Sequence, residues 1–215
     1  MSSKAAPLAA DERAWWLRAL LVLQSPRPVF AALRDDSDEA AHARQEPLLA
    51  IVLLAGISLV LATTIAGRLL DDPAYDGLLI TVWAIVAGGI HGVLAYFLVG
   101  GAVYLGASFA GGLGSYRRAR HVLGFACVPL AVSLLVWPVR VAVHGEDAFR
   151  SGGSDTGISK GVFEAMELGF LLWSLVLLVI GTRTVHGWTW PRAVAAIALP
   201  AALPALALAR AYGLV

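Results

Sequence analysis

Three ionisable side chains, His91, Arg140 and Glu167, lie in or beside long apolar runs of this 215-residue chain. Charge is costly to hold in lipid, so ionisable groups in such runs are the first place to look for chemistry. The three form a candidate intramembrane polar site. His91, flanked by Gly88, Gly89 and Gly92, has two readings: a neutral imidazole bonded across a close helix contact, or a proton-relay or ligand group. Glu164 and Glu167 are spaced i,i+3 on one helical face and would suit a metal if a histidine from another helix faced them. Near the end of their run, the simpler expectation is that both are hydrated. No Glu-x-x-His or His-x-x-x-His pair, Gly-x-Ser-x-Gly elbow or phosphate-binding glycine loop occurs. No catalytic or metal-ligating residue is therefore assigned, and no cofactor is expected.

Other residues suit a membrane surface. Arg117, Arg118 and Arg120 cluster in a short linker, where they set orientation or contact anionic lipid headgroups. Trp15 and Trp16 beside Arg13 and Arg18, and Trp188 with Trp190, read as interfacial anchors because indole rings favour the headgroup region. His121 and His186, each near arginines, read the same way. Gly88, Gly92 and Gly100 recur at multiples of four, a face that another helix can approach closely. The lone Cys127 lies in an apolar run and reads as a small buried side chain.

The elements that must position these residues follow from composition. With 59% hydrophobic residues, 14% charged and a mean hydropathy of +0.75, the chain is too apolar for a soluble domain of its size. The near-zero net charge of +1 argues against a nucleic-acid partner. The expected fold is all-α: a polytopic bundle of five membrane spans with an N-terminal amphipathic interfacial helix. Residues 1–46 form a polar segment whose stretch 11–24 puts Trp15, Ala19, Val22 and Leu23 on one face. Packing against the bundle's own end is the alternative to surface insertion. The apolar stretch of this segment is interrupted by Arg18 and preceded by acids, so it is not expected to be a cleaved signal.

The membrane domain, 47–212, has spans near 48–66, 78–109, 121–143, 162–181 and 193–210. Residues 78–110 are uncharged for 33 positions, about 50 Å as a helix, which predicts one long kinked element. Pro129 and Pro138 interrupt the third span, and 144–161, rich in Gly, Ser and Asp, reads as a flexible loop. Lys and Arg number eleven on the N-terminal side of the spans and five on the other. The positive-inside rule then puts the N-terminus in the cytoplasm and the C-terminus outside. Fourteen arginines against two lysines in an alanine-rich chain suggest a prokaryote, hence its inner membrane.

Three stretches carry a family resemblance: Ser25-Pro26-Arg27-Pro28-Val29-Phe30; Gly114-Ser115-Tyr116-Arg117-Arg118-Ala119 leading to Ala126-Cys127-Val128-Pro129; and Trp173 through Ile180-Gly181-Thr182-Arg183 to Val185-His186-Gly187, followed by Trp190, Arg192 and Ala193. In their order around five spans they resemble the Yip domain family, five-span membrane proteins named for interaction with Ypt/Rab GTPases, in its prokaryotic branch. The resemblance covers residues 24–212 and implies five spans with a cytoplasmic N-terminus. It carries over no catalytic mechanism. The leading functional expectation is a non-enzymatic protein that organises the lipid bilayer, membrane-protein partners or copies of itself. The alternatives are a small lipid or solute transporter, with His91 and the proline-broken helices lining a path, and a membrane-embedded enzyme.

Overall fold

The computed structural model describes residues 14–211, with side chains in the final helix described through Ala198 and at Ala202 and Arg210. Among the described residues every regular element is helical. The N-terminal segment carries three short helices: α1 over residues 14–21, α2 Pro26–Ala32 and α3 Asp38–Ala43. Proline at the start of α2 fits a position where the backbone N–H has no partner. The Ser37 hydroxyl caps α3 by accepting from Ala40 N at 3.3 Å.

Then come α4 Gln45–Leu61, α5 Gly77–Phe109, a rod broken into α6 Tyr116–Ala126, α7 Val128–Ser133 and α8 Val136–His144, and finally α9 Gly157–His186 and α10 Trp190–Ala211. Three of these, α5, the rod Tyr116–Phe149 and α9, are long and apolar enough to cross a membrane. The first expected span is shorter than predicted: α4 stops at Leu61, where the Thr63 hydroxyl donates to Val60 O at 2.6 Å and the chain turns into a 3-10 helix, Ala66–Asp71. The uncharged run of 33 residues is indeed one helix, α5, started by Asp76, whose carboxylate accepts from Leu79 N at 2.7 Å. α9 extends past its predicted limits to His186 and ends at Gly187, whose φ of +68° is the left-handed conformation that glycine reaches without strain. The breaks in the rod lie next to its prolines, which cannot donate to the preceding turn.

Packing follows the small residues. α4 lies along α5, and a Cβ added at Gly56 would fall 2.6 Å from Gly92 Cα, while one at Gly88 would fall 2.7 Å from Ile57 N. The backbones are thus in contact, which maximises dispersion attraction where lipid supplies no hydrophobic drive. Gly100 serves a different neighbour, receiving the Arg120 side chain of α6, so the glycine face contacts two helices. Ser58 on α4 and Ser133 on α7 share a hydroxyl hydrogen bond of 2.7 Å in the buried seam. The outward side of α5 is apolar along its length: Leu78, Ile85, Ile90, Leu98 and Phe109 are exposed, and Ile158, Leu168, Leu172 and Val176 repeat this on α9. A water-soluble surface does not expose so much contiguous hydrocarbon, and lipid is the solvent that accepts it.

Candidate functional site: two buried arginine networks

Because α5, the rod, α9 and α10 run up and down, the polar connections gather at two ends. One end holds α1–α3, the turn before α6 and the α9–α10 turn. The other holds the segments between α4 and α5 and between α8 and α9.

At the first end, Arg44 stands between α3 and α4 with no exposed surface. Its Nε donates to His121 Nδ1 on α6 at 2.8 Å, its Nη1 donates to Asp35 O at 2.9 Å, and its Nη2 lies 3.6 Å from Asp36 Oδ1. A donating Nε requires His121 to present a lone pair, so the imidazole there is a neutral acceptor with its proton on Nε2. The Trp15 ring covers Arg44 at 5.6 Å and Arg18 at 4.7 Å. Asp36 is the shared anion: Arg117 Nε donates to it at 3.1 Å, the Ser115 hydroxyl also donates to it, and Arg118 Nη2 is 3.9 Å away. Burial raises the Asp36 pKa, but Ser115, Arg117 and Arg118 outweigh it and hold the carboxyl below the usual carboxylate value. Burial outweighs the nearby Asp36 and Asp35 charges at Arg44, lowering its pKa from the ordinary guanidinium value. Arg34 Nε reaches Thr184 O on α9 at 3.2 Å, and Arg118 Nη2 reaches Arg34 O at 2.9 Å. The N-terminal segment is thereby tied to α6 and α9.

At the second end, Arg140 is 8% exposed and bridges two carboxylates. Its Nε donates to Asp155 Oδ2 at 3.1 Å and its Nη1 to Glu167 Oε1 at 3.2 Å. The Trp137 ring lies under its guanidinium at 4.8 Å, with Phe163 at 5.8 Å. His144 extends the network through Ser159 Oγ at 2.7 Å and Asp155 Oδ1 at 3.7 Å. The segment 144–161, expected as a flexible loop, is instead fastened to its neighbours, Ser151 N donating to Asp71 Oδ1 at 2.8 Å and Asp155 pairing with Arg140, and it is braced internally by Ser154 N donating to Asp147 Oδ2 at 3.0 Å. Its order comes from side chains at irregular spacing, which periodicity cannot register.

Several sequence expectations change here. Arg140 and Glu167 meet, as a polar site requires, but His91 is exposed on the outer face of α5 with Ile90 and Leu94 and joins neither network. The three residues of the expected intramembrane polar site therefore do not converge. Glu167 is 10% exposed and paired, not freely hydrated, whereas Glu164 is 41% exposed beside Lys160. Trp15 is a core residue, 5% exposed and 5.4 Å from the Phe125 ring, so of the two tryptophans on α1 Trp16, at 43%, is the one that faces outward. Arg18 stacks on Trp15, and Arg13 lies outside the described residues. Trp188 is likewise buried, stacked 4.3 Å from the His186 ring, while Trp190 is exposed under Arg183 at 4.6 Å. His121 is a buried acceptor, not a surface anchor. Arg44, Asp36, His144 and Asp155 had no sequence signal: each sits at a boundary or in a loop, where a charge normally reads as solvated.

No group of three or more histidine, cysteine, aspartate or glutamate side chains among the described residues is arranged to hold a metal ion. What the geometry can do is mechanical: each network locks helix ends that approach from different parts of the chain. No curated protein and no solved structure matches the chain. The family model described as Yip1 domain matches residues 20–211, from within α1 to the last described residue of α10. The match spans both arginine networks and every long helix, and the chain belongs to the Yip1 domain family.

Proposed function

We propose that this membrane protein is non-enzymatic and organises membrane-protein partners or the bilayer through its arginine-rich end. The observation that carries the reading is that Asp36, Arg44, Arg117 and Arg34 weld α2–α3, α6 and α9 into one charged surface, with Glu39 and Glu46 exposed on it. A surface held by a buried arginine and its part-buried neighbours presents a fixed shape to a partner, which lowers the ordering cost of binding. The carboxylates and guanidinium groups of the two networks are engaged with one another in structural pairs, which favours this reading over catalysis.

The same reading takes α4 and α10 as crossings. At 17 and 22 residues they extend about 26 and 33 Å, enough to complete five spans with α5, the rod and α9. Residues 1–46 are then cytoplasmic, with α1–α3 docked on a membrane domain of residues 47–212, and the C-terminus is external. The excess of arginine on the N-terminal side supports that orientation, in the inner membrane of a prokaryote.

Photo-crosslinking in native membranes tests the role. With the crosslinker at Glu39, discrete adducts with a membrane protein or a second copy are expected, and fewer with it at Glu146 on the opposite end. Recovery of the uncrosslinked monomer alone from both positions would sink the organising role.

A further inference from the structure

Arg120 is a cation at the arginine-rich end that the networks leave out. Its stem crosses α5 at Gly100, and its guanidinium sits 4.6 Å from the Phe97 and Tyr116 ring centroids and 5.3 Å from that of Tyr96. Its Nε is buried and has no hydrogen-bond partner, and among the described residues no carboxylate pairs with it. Arg117, by contrast, is held by Asp36 and Asp38, and Arg118 by Arg34 O. Three ring faces attract a cation but do not neutralise it, so Arg120 still lacks an anion at the edge of an apolar bundle.

Its guanidinium opens on a groove of about 380 Å³ between α3–α4 and α5–α6. The lining changes character along the groove, from His42, Gln45 and Arg120 to Leu49, Val52 and Val93. Asp38 also lines it, but Arg117 Nη1 holds that carboxylate at 2.5 Å. A molecule with an anionic head and a hydrocarbon tail matches this sequence of polarity, and Leu49, 52% exposed, leaves the tail a way out to lipid.

We propose that the groove binds an anionic phospholipid, with the phosphate against Arg120 and an acyl chain along Leu49, Val52 and Val93. This goes beyond the organising role, which holds with or without a bound lipid.

Native mass spectrometry of the purified full chain in detergent, offered equal amounts of phosphatidylglycerol and phosphatidylcholine with identical chains, tests it. One unpaired guanidinium predicts a preference of about fivefold for phosphatidylglycerol, by the usual contribution of one basic residue near an anionic headgroup. Arg120→Gln should bring the two lipids to near parity, and Arg27→Gln, an exposed control at the same end, should leave the preference intact. Val93→Trp keeps Arg120 and fills the tail path, so it should lower binding of both lipids; it carries the test if Arg120→Gln does not fold. Excess glycerol 3-phosphate should not displace the lipid. Full preference in Arg120→Gln, an equal loss in Arg27→Gln, undiminished binding in Val93→Trp or displacement by glycerol 3-phosphate would overturn the proposal.

Discussion

The two ends of the bundle solve the same problem with opposite surpluses. At the arginine-rich end, buried Arg44 rests on a neutral histidine and shares Asp36 with Arg117 and Arg118. At the other, buried Arg140 is, among the described residues, the only guanidinium between two carboxylates, Asp155 and Glu167. The difference teaches where each network is fragile. Cations are redundant around Asp36, whereas one guanidinium serves both carboxylates around Arg140, with only the His144 ring, 3.7 Å from Asp155, beside it.

Removing that guanidinium should therefore have the largest effect. Arg140→Met leaves two buried carboxylates uncompensated and is expected to cost about 3–5 kcal/mol, read by reversible denaturation in mixed micelles. Adding Asp155→Asn and Glu167→Gln to it should recover most of the loss, and failure to recover would mean that Trp137 and Phe163 packing, not charge, dominates this end. Arg44→Met should cost less, about 2 kcal/mol, because Asp36 keeps Arg117 and the orphaned His121 lone pair is neutral. Equal losses in the two variants would erase the contrast.

Acidification should act on the arginine-rich end through Asp36, whose folded pKa lies below its unfolded value. The carboxylate's stabilisation is then complete above about pH 4 and is lost as pH falls through the folded pKa. Wild type should lose thermal stability from pH 5 to pH 3 more steeply than Asp36→Asn; parallel profiles would contradict the assignment. Asp38, whose side chain is 96% exposed, should matter least of the network's acids: Asp38→Ala is expected to change stability by under about 0.5 kcal/mol.

Much of this architecture is legible in residue order. The uncharged run of 33 residues reads directly as α5, because length and apolarity are local properties, and Gly88 and Gly92 point to a close approach although their partner, Gly56, is invisible until α4 is laid against them. Of the networks, only the Arg140–Glu167 pair was legible. Arg44 and His121 are 77 positions apart, and Asp155 sits in a Gly/Ser-rich stretch that lacks any period. Pairing across such separations is set by which helix ends meet, information that exists only in the packed bundle. Trp15 shows the same limit: an amphipathic face reads identically whether it meets lipid or Phe125.

The claim that unites the account is that the arginine-rich end faces the cytoplasm and the Arg140 end faces the opposite side of the membrane. Cys127 is the single native cysteine, so a Cys127→Ala background allows one reporter at a time. Glu39→Cys reports the first end and Glu146→Cys the second, both at exposed positions. In intact cells a membrane-impermeant maleimide should label Glu146→Cys and reach Glu39→Cys only after permeabilisation. Labelling of both in intact cells, or the reverse pattern, would contradict it.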